Sequence, residues 1–261
     1  MPRSTPSASR RRLAATVLVA LAVSTALGGC ASAAPQPSPP VGVDLEGFDP
    51  ASGNGLWLLT GDDVGDAVLD AVRMAGTAHV TGSVTELVQP DDPQADPFRG
   101  RTLTIDYTGR AEAFVASVTG GDVTARIAAS DGVAKVLGNA AYAEALGAPG
   151  TADTVVCSVG TEQVLDRWSP LLSPIDLVRS LLGGAGADLS AAEPVADGDT
   201  LDVVLGTDDA PIGILTVERF GPPLPRAFTA SDASGGGTFA FDGWGAAPDP
   251  AAADALTCPA T

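Results

Sequence analysis

Apolar positions between residues 61 and 76 recur at helical spacing. Val64, Ala67, Val68, Ala71, Val72 and Ala75 fall at i, i+3, i+4, i+7, i+8 and i+11, while Asp63, Asp66, Asp70 and Arg73 face elsewhere. The pattern predicts an amphipathic helix with an acidic first turn and a stop at Gly76. Beyond Gly76 the period falls to two. Val80, Gly82 and Val84 alternate with Thr81, Ser83 and Thr85, and similar runs occupy Arg101 to Thr108, Ala111 to Thr119, Val123 to Ser130 and Val133 to Gly138. Gly109, Gly120-Gly121 and Asp131-Gly132 punctuate them, the last being a hairpin signal. The segment Gln89 to Gly100, with three prolines and three aspartates, reads as a long solvated hairpin tip or an edge insertion.

Short helices are predicted at Asn139 to Leu146 and Ser173 to Leu182. In the second, Ser173 is a natural N-cap, Pro174 suits the first turn, Asp176 complements the helix dipole and Gly183-Gly184 ends it. Its apolar residues Ile175, Leu177, Val178, Leu181 and Leu182 surround most of the helix, which must be covered on several sides or line something apolar. Strands are predicted again at Thr200 to Leu205, Pro211 to Arg219, Arg226 to Ala230 and Thr238 to Phe241. Antiparallel runs interrupted by a few helices give an α+β fold with one large curved sheet and helices gathered on one face. With no internal repeat and no second linker, residues 60–261 read as a single domain.

Alternation puts Val80, Val84, Leu103, Ile105, Val123, Ile127, Leu201, Val203, Phe239 and Phe241 on the inward phase of the strands. Those residues serve a filled core and a ligand cavity equally well. Trp57, Trp168 and Trp244 likewise suit core or cavity wall.

The N-terminus has a different character. Four of the 14 basic residues are Arg3, Arg10, Arg11 and Arg12, an apolar run follows from Leu13 to Leu27, and Gly28-Gly29-Cys30 ends it. About fifteen apolar residues fall short of the roughly 20 that a membrane span needs, so residues 1–29 read as an export signal. Leu27-Gly28-Gly29-Cys30 resembles the bacterial lipobox, in which the cysteine is acylated and becomes the first residue after cleavage. Residues 30–59 then form a lipidated N-terminus and a Pro-rich tether, whose last part, Asp44 to Leu59, carries Phe48 and Trp57 and is expected to dock without regular structure. The expected location is the extracytoplasmic face of the cell membrane, held by a lipid anchor. With Cys30 committed to lipid, Cys157 and Cys258 remain as an even pair in an oxidising compartment, and they are expected to form one disulfide.

Beyond residue 30 the chain carries 10 basic against 32 acidic residues, net −22. That balance repels nucleic acid. The one histidine, His79, lies on the phase of Thr81 and Ser83, facing solvent or the sheet edge, with no marked nucleophile for it to activate. Ser158 lacks the flanking glycines of a nucleophile elbow. Asp62-Asp63, Asp91-Asp92 and Asp208-Asp209, and the set Glu193, Asp197 and Asp199, lack the spacing of a calcium loop and read as solvated turns. No catalytic residue, metal or cofactor is assigned, and the chain is not read as an enzyme.

The order of elements resembles a known group. A helix, the strand Thr77-Ala78-His79-Val80-Thr81-Gly82, a meander, a short helix around Ala141 to Leu146, Trp168, a Pro-led helix and further strands are similar to the LppX/LprA/LprF/LprG lipoproteins of actinobacteria, within the LolA-like lipoprotein-carrier fold. Local matches are Ser173-Pro174-Ile175-Asp176-Leu177, the segment Gly213 to Arg226 with Pro-Pro-Leu-Pro-Arg, and Phe239-Ala240-Phe241-Asp242-Gly243-Trp244-Gly245. The resemblance covers roughly residues 60 to 250. It implies a half-barrel sheet with helices on its concave face and an apolar cavity between them for acyl chains or a glycolipid. The cavity would be lined by Val80, Val84, Leu103, Ile105, Val123, Ile127, Ile175, Val178, Leu181, Leu201, Val203 and Phe239. The loop Gln89 to Gly100, the docked N-terminal segment and the Cys157 to Cys258 bridge are additions to that pattern. The expectation is a lipoprotein that binds, and through the resemblance transfers, a lipid or glycolipid. Its rival is a non-enzymatic cell-envelope interaction module with a filled core, whose protein partner the sequence does not identify.

Overall fold

A computed structural model describes residues 48–88, 90, 98–159, 168, 170–183, 188–207, 209–230, 237–246 and 256–259. The signal segment, Cys30, the first part of the tether and most of the loop Gln89 to Gly100 lie outside the described residues. Among the described residues, eleven strands form one open antiparallel sheet: β1 (Ala78–Val88), β2 (Phe98–Arg110), β3 (Ala113–Gly120), β4 (Val123–Ser130), β5 (Val133–Gly138), β6 (Val155–Val159), β7 (Leu189–Ala191), β8 (Thr200–Thr207), β9 (Ala210–Glu218), β10 (Pro225–Ala230) and β11 (Gly237–Asp242). Their spatial order is β6-β5-β4-β3-β2-β1-β11-β10-β9-β8-β7. One meander runs outward from β1, and the other runs inward from β7 until β11 pairs with β1. The two meet where Val80 opposes Phe241 and Gly82 opposes Phe239.

Alternation fixes which side of each strand is buried. β3 buries Phe114, Ala116 and Val118, and β2 buries Leu103, Ile105 and Tyr107, with Thr102, Thr104, Asp106 and Thr108 of β2 and Val115, Ser117 and Thr119 of β3 on the other face. Asp131 and Gly132 both take positive φ, 52° and 74°, which matches the right-handed twist of the β4–β5 hairpin. Pairing of Leu87 with Arg99 and Val88 with Phe98 starts β2 at Phe98, inside the segment expected as a hairpin tip or an edge insertion, which joins two antiparallel strands. The hydrophobic alternation fades there because the ladder shifts register between Thr85 and Leu87.

Among the described residues, three α-helices accompany the sheet: α1 (Asp62–Ala75), α2 (Ala140–Ala145) and α3 (Pro174–Leu182). Gly76 closes α1 at φ 74°, its N–H donating to the Val72 carbonyl at 3.0 Å. The Asn139 side chain caps α2 by accepting from the Tyr142 N–H at 3.0 Å, and the Ser173 hydroxyl accepts from the Asp176 N–H at the start of α3. Val64, Val68 and Val72 of α1 and Leu177, Val178 and Leu182 of α3 belong to the same apolar cluster as the buried phase of the strands. At about 25 cal/mol per Å² of apolar surface removed from water, that shared burial is the main force holding helices and sheet together.

The segment from Phe48 to Leu59 docks on the fold through two 3₁₀ turns, Pro50–Ser52 and Leu56–Leu58, where no regular structure was expected. Leu56 is 2% exposed and joins the core. Asn54 Nδ2 donates to the Glu218 carbonyl at 2.9 Å, and the Arg219 guanidinium donates to the Ser52, Val195 and Gly198 carbonyls at 2.7, 2.9 and 2.8 Å. The tether expected over residues 30–59 is therefore a docked part of the fold from Phe48 onward.

Candidate ligand-binding site

The twelve residues expected to line a cavity converge. Val80, Leu103, Ile105, Val123, Ile127, Val178, Leu201, Val203 and Phe239 are each buried in the one cluster, and Val84, Ile175 and Leu181 pack against it half-buried. A recess of about 310 Å³ lies beside them between α1, α3 and β7, and Leu69, Leu182 and Leu189 supply its apolar walls. Asp62, Asp66 and Arg179 stand around it, with Arg179 paired to Asp176. Gly65 keeps α1 close to β7, since a Cβ there would lie 3.1 Å from Leu189 Cδ1. None of these recess residues was among the twelve. A glycine inside an otherwise regular helical pattern was the available signal.

Two polar atoms interrupt the apolar interior. Among the described residues, the Tyr107 hydroxyl and Trp168 Nε1 are buried without a hydrogen-bond partner. Tyr107 has no exposed surface and its ring tilts against Phe114 at 5.2 Å, while Trp168 stacks on Tyr142 at 5.7 Å. Burial, reinforced by the charge of Glu112, pushes the Tyr107 pKa far above its ordinary value, so the hydroxyl stays neutral and able to donate. Each unsatisfied donor costs about 1–3 kcal/mol relative to a paired one. Trp57 and Trp244 are half-buried against the core, and Trp244 Nε1 donates to the Pro225 carbonyl at 2.7 Å.

His79 is not at a sheet edge. It stands on the polar face of β1, between β2 and β11, with Nδ1 2.9 Å from Asp242 Oδ1 and Nε2 3.2 Å from Asp106 Oδ1. Among the described residues, the imidazole's hydrogen-bond partners are these two carboxylates and no serine or cysteine. Among the described residues, no group of three or more His, Cys, Asp or Glu side chains is placed to hold a metal ion, and no helix is long and apolar enough to cross a membrane.

Cys157 and Cys258 form the expected disulfide, with Cα atoms 5.9 Å apart. Cys157 pairs with Lys135 across β6 and β5, on the polar phase of the sheet. The bond thus holds the C-terminal segment against the face that the helices do not share. Leu256, two residues before the bridge, is 3% exposed, and Ala128 of the polar phase of β4 is 2% exposed. Neither belongs to the main cluster. They lie instead beside a second recess of about 240 Å³, walled by Val115, Ala128 and Leu256 together with Asp106, Ser117 and Arg126.

No protein-family model matches this chain, and no curated protein sequence matches it.

Proposed function

We propose that the chain is a membrane-anchored extracytoplasmic lipoprotein of the LolA-like carrier type, acylated at Cys30, which binds a lipid or glycolipid without covalent chemistry. Its open sheet curves around α1 and α3 in this reading, and the apolar ligand enters between them. The carrying observation is the pair of orphaned donors. A core packed only for stability gains nothing from the Tyr107 hydroxyl and Trp168 Nε1, which in an apolar surrounding without acceptors are costly. A lipid brings acyl chains that suit the surrounding Leu and Val side chains and ester carbonyls that accept from those donors. Each CH₂ buried contributes about 0.8 kcal/mol.

The recess between α1 and α3, about 310 Å³, is at the lower end of the roughly 300–1,000 Å³ of small-molecule sites. It suits part of one acyl chain, so a multi-chain ligand requires α1 and α3 to part. Burial of nine of the twelve cavity candidates in one apolar cluster, with the other three packed against it, favours the second reading, an envelope interaction module with a filled core.

Native mass spectrometry of the full chain released from detergent micelles separates the two. The carrier reading expects a non-covalent lipid adduct above the acylated mass, diminished by Tyr107→Phe and by Leu69→Trp. Because Tyr107→Phe removes an unpaired donor, the lipid-free variant should unfold at a higher denaturant concentration than the lipid-free wild type. A clean mass without adduct, with Tyr107→Phe leaving stability unchanged, supports the module.

A further inference from the structure

We propose that the recess on the polar face of the sheet, walled by the disulfide-held C-terminal segment, is a binding site for a small apolar carboxylate such as a medium-chain fatty acid. It is separate from the interior site proposed above and does not depend on it.

The recess joins an apolar wall to an uncommitted cation. Val115 and Ala128 come from adjacent strands, paired in register across β3 and β4, and Leu256 faces them from the C-terminal segment. The same register sets Asp106, Ser117 and Arg126 in a row across β2, β3 and β4. Arg126 is exposed and forms no hydrogen bond or ion pair among the described residues. In a chain with 32 acidic and 14 basic residues, where Arg101, Arg179 and Arg226 are all paired to carboxylates, a free guanidinium beside an apolar recess stands out. It presents a planar fork of donors suited to a carboxylate, and the Ser117 hydroxyl on the neighbouring strand supplies another donor. Asp106, the carboxylate on the wall, is tied to the imidazole of His79. Lys135, opposite Ala128 on β5, adds a second positive charge on this phase.

Burial shows that the wall is built and not incidental. Ala128 sits on the phase where β4 otherwise carries Thr124 and Arg126, both exposed, yet it is covered. Leu256 is covered as well, and its position is fixed two residues from a covalent bond to β6. The occupant must therefore carry an apolar body short enough for about 240 Å³ and one anionic group within reach of Arg126. A carboxylate-headed alkyl chain meets both conditions, whereas an uncharged alcohol meets only the first.

The test uses the full chain in its acylated form and a diazirine-bearing octanoate as photoreactive probe, with the labelled peptides mapped by mass. Labelling is expected within residues 113–130 and 256–259, saturable, and displaced by octanoate but not by octanol. Arg126→Met should weaken labelling by about tenfold or more, the loss expected for one charge-assisted hydrogen bond. Leu256→Ala keeps the disulfide and should also weaken it by removing the apolar wall. Labelling that octanol displaces equally well, or that Arg126→Met leaves unchanged, overturns the proposal. So does labelling confined to peptides around Gly65 and Leu189, an outcome that would leave the interior site standing.

Discussion

Nδ1 of His79 lies 2.9 Å from Oδ1 of Asp242, across the β1–β11 junction that joins the two halves of the sheet. Partial burial alone would lower the imidazole pKa. The hydrogen bond and charge of Asp242, followed by those of Asp106, outweigh it and raise the pKa above 6.5. A raised folded-state pKa contributes stability that is fully present below about pH 6.5 and is lost as pH rises through the folded value. Wild type should therefore lose more stability than His79→Gln between pH 6 and pH 9, by denaturant unfolding at each pH. Since the chain has one histidine, its ring resonance titrates alone. The midpoint should lie above 6.5 and fall in Asp242→Asn. A midpoint below 6.5 in wild type contradicts the pairing.

The Cys157–Cys258 bond spans 101 residues. Closing so long a loop in the unfolded chain is worth about 3–5 kcal/mol in the chain-entropy account. The double variant Cys157→Ser with Cys258→Ser should lose that much in urea unfolding, and added reductant should affect wild type alone. Identical midpoints for wild type with and without reductant would show that the bond adds no stability.

Gly138 ends β5 directly beneath the ring of Tyr142, and a Cβ at that position would come 1.9 Å from Tyr142 Cδ1. Tyr142 in turn stacks on Trp168. Gly138→Ala should displace both rings and cost about 1–3 kcal/mol, read as a lowered urea midpoint with altered near-ultraviolet circular dichroism. An unchanged aromatic spectrum would mean that Tyr142 has room to move.

Residues with local signals were the ones legible in the sequence. β4 and β5 begin and end where alternation and the Asp131-Gly132 turn placed them, and α1 and α3 follow their caps and apolar stripes. The strands β6 and β7 carry no such local signal, for different reasons. Val155–Val159 is a short run whose partner, β5, is separated from it by a helix and a 3₁₀ turn. Leu189–Ala191 has three residues, too few for a period to emerge, and all three are only half-buried.

The site was legible in part. Alternation identified the apolar phase, which the buried strand residues follow, and cysteine parity identified the bridge. The walls of the two recesses were not, because each is assembled from distant segments. Leu69, Leu182 and Leu189 converge from three elements, and Leu256 reaches β3 and β4 from beyond the last strand. Arg219 illustrates the same limit. Alternation places it at the end of a strand, yet its guanidinium ties Ser52, 167 residues away, to the turn at Val195.

An open sheet leaves two rims of backbone donors and acceptors on which a second chain can grow. Here one rim is β7, only three residues long, and the other is β6, five residues long and bolted at its centre to the C-terminal segment. Brevity at one rim and a covalent fastening at the other leave little ladder for another strand to extend. The cystine fastens the tail at the midpoint of that rim, so one covalent bond both secures the C-terminal segment and fixes it beside the sheet's last strand.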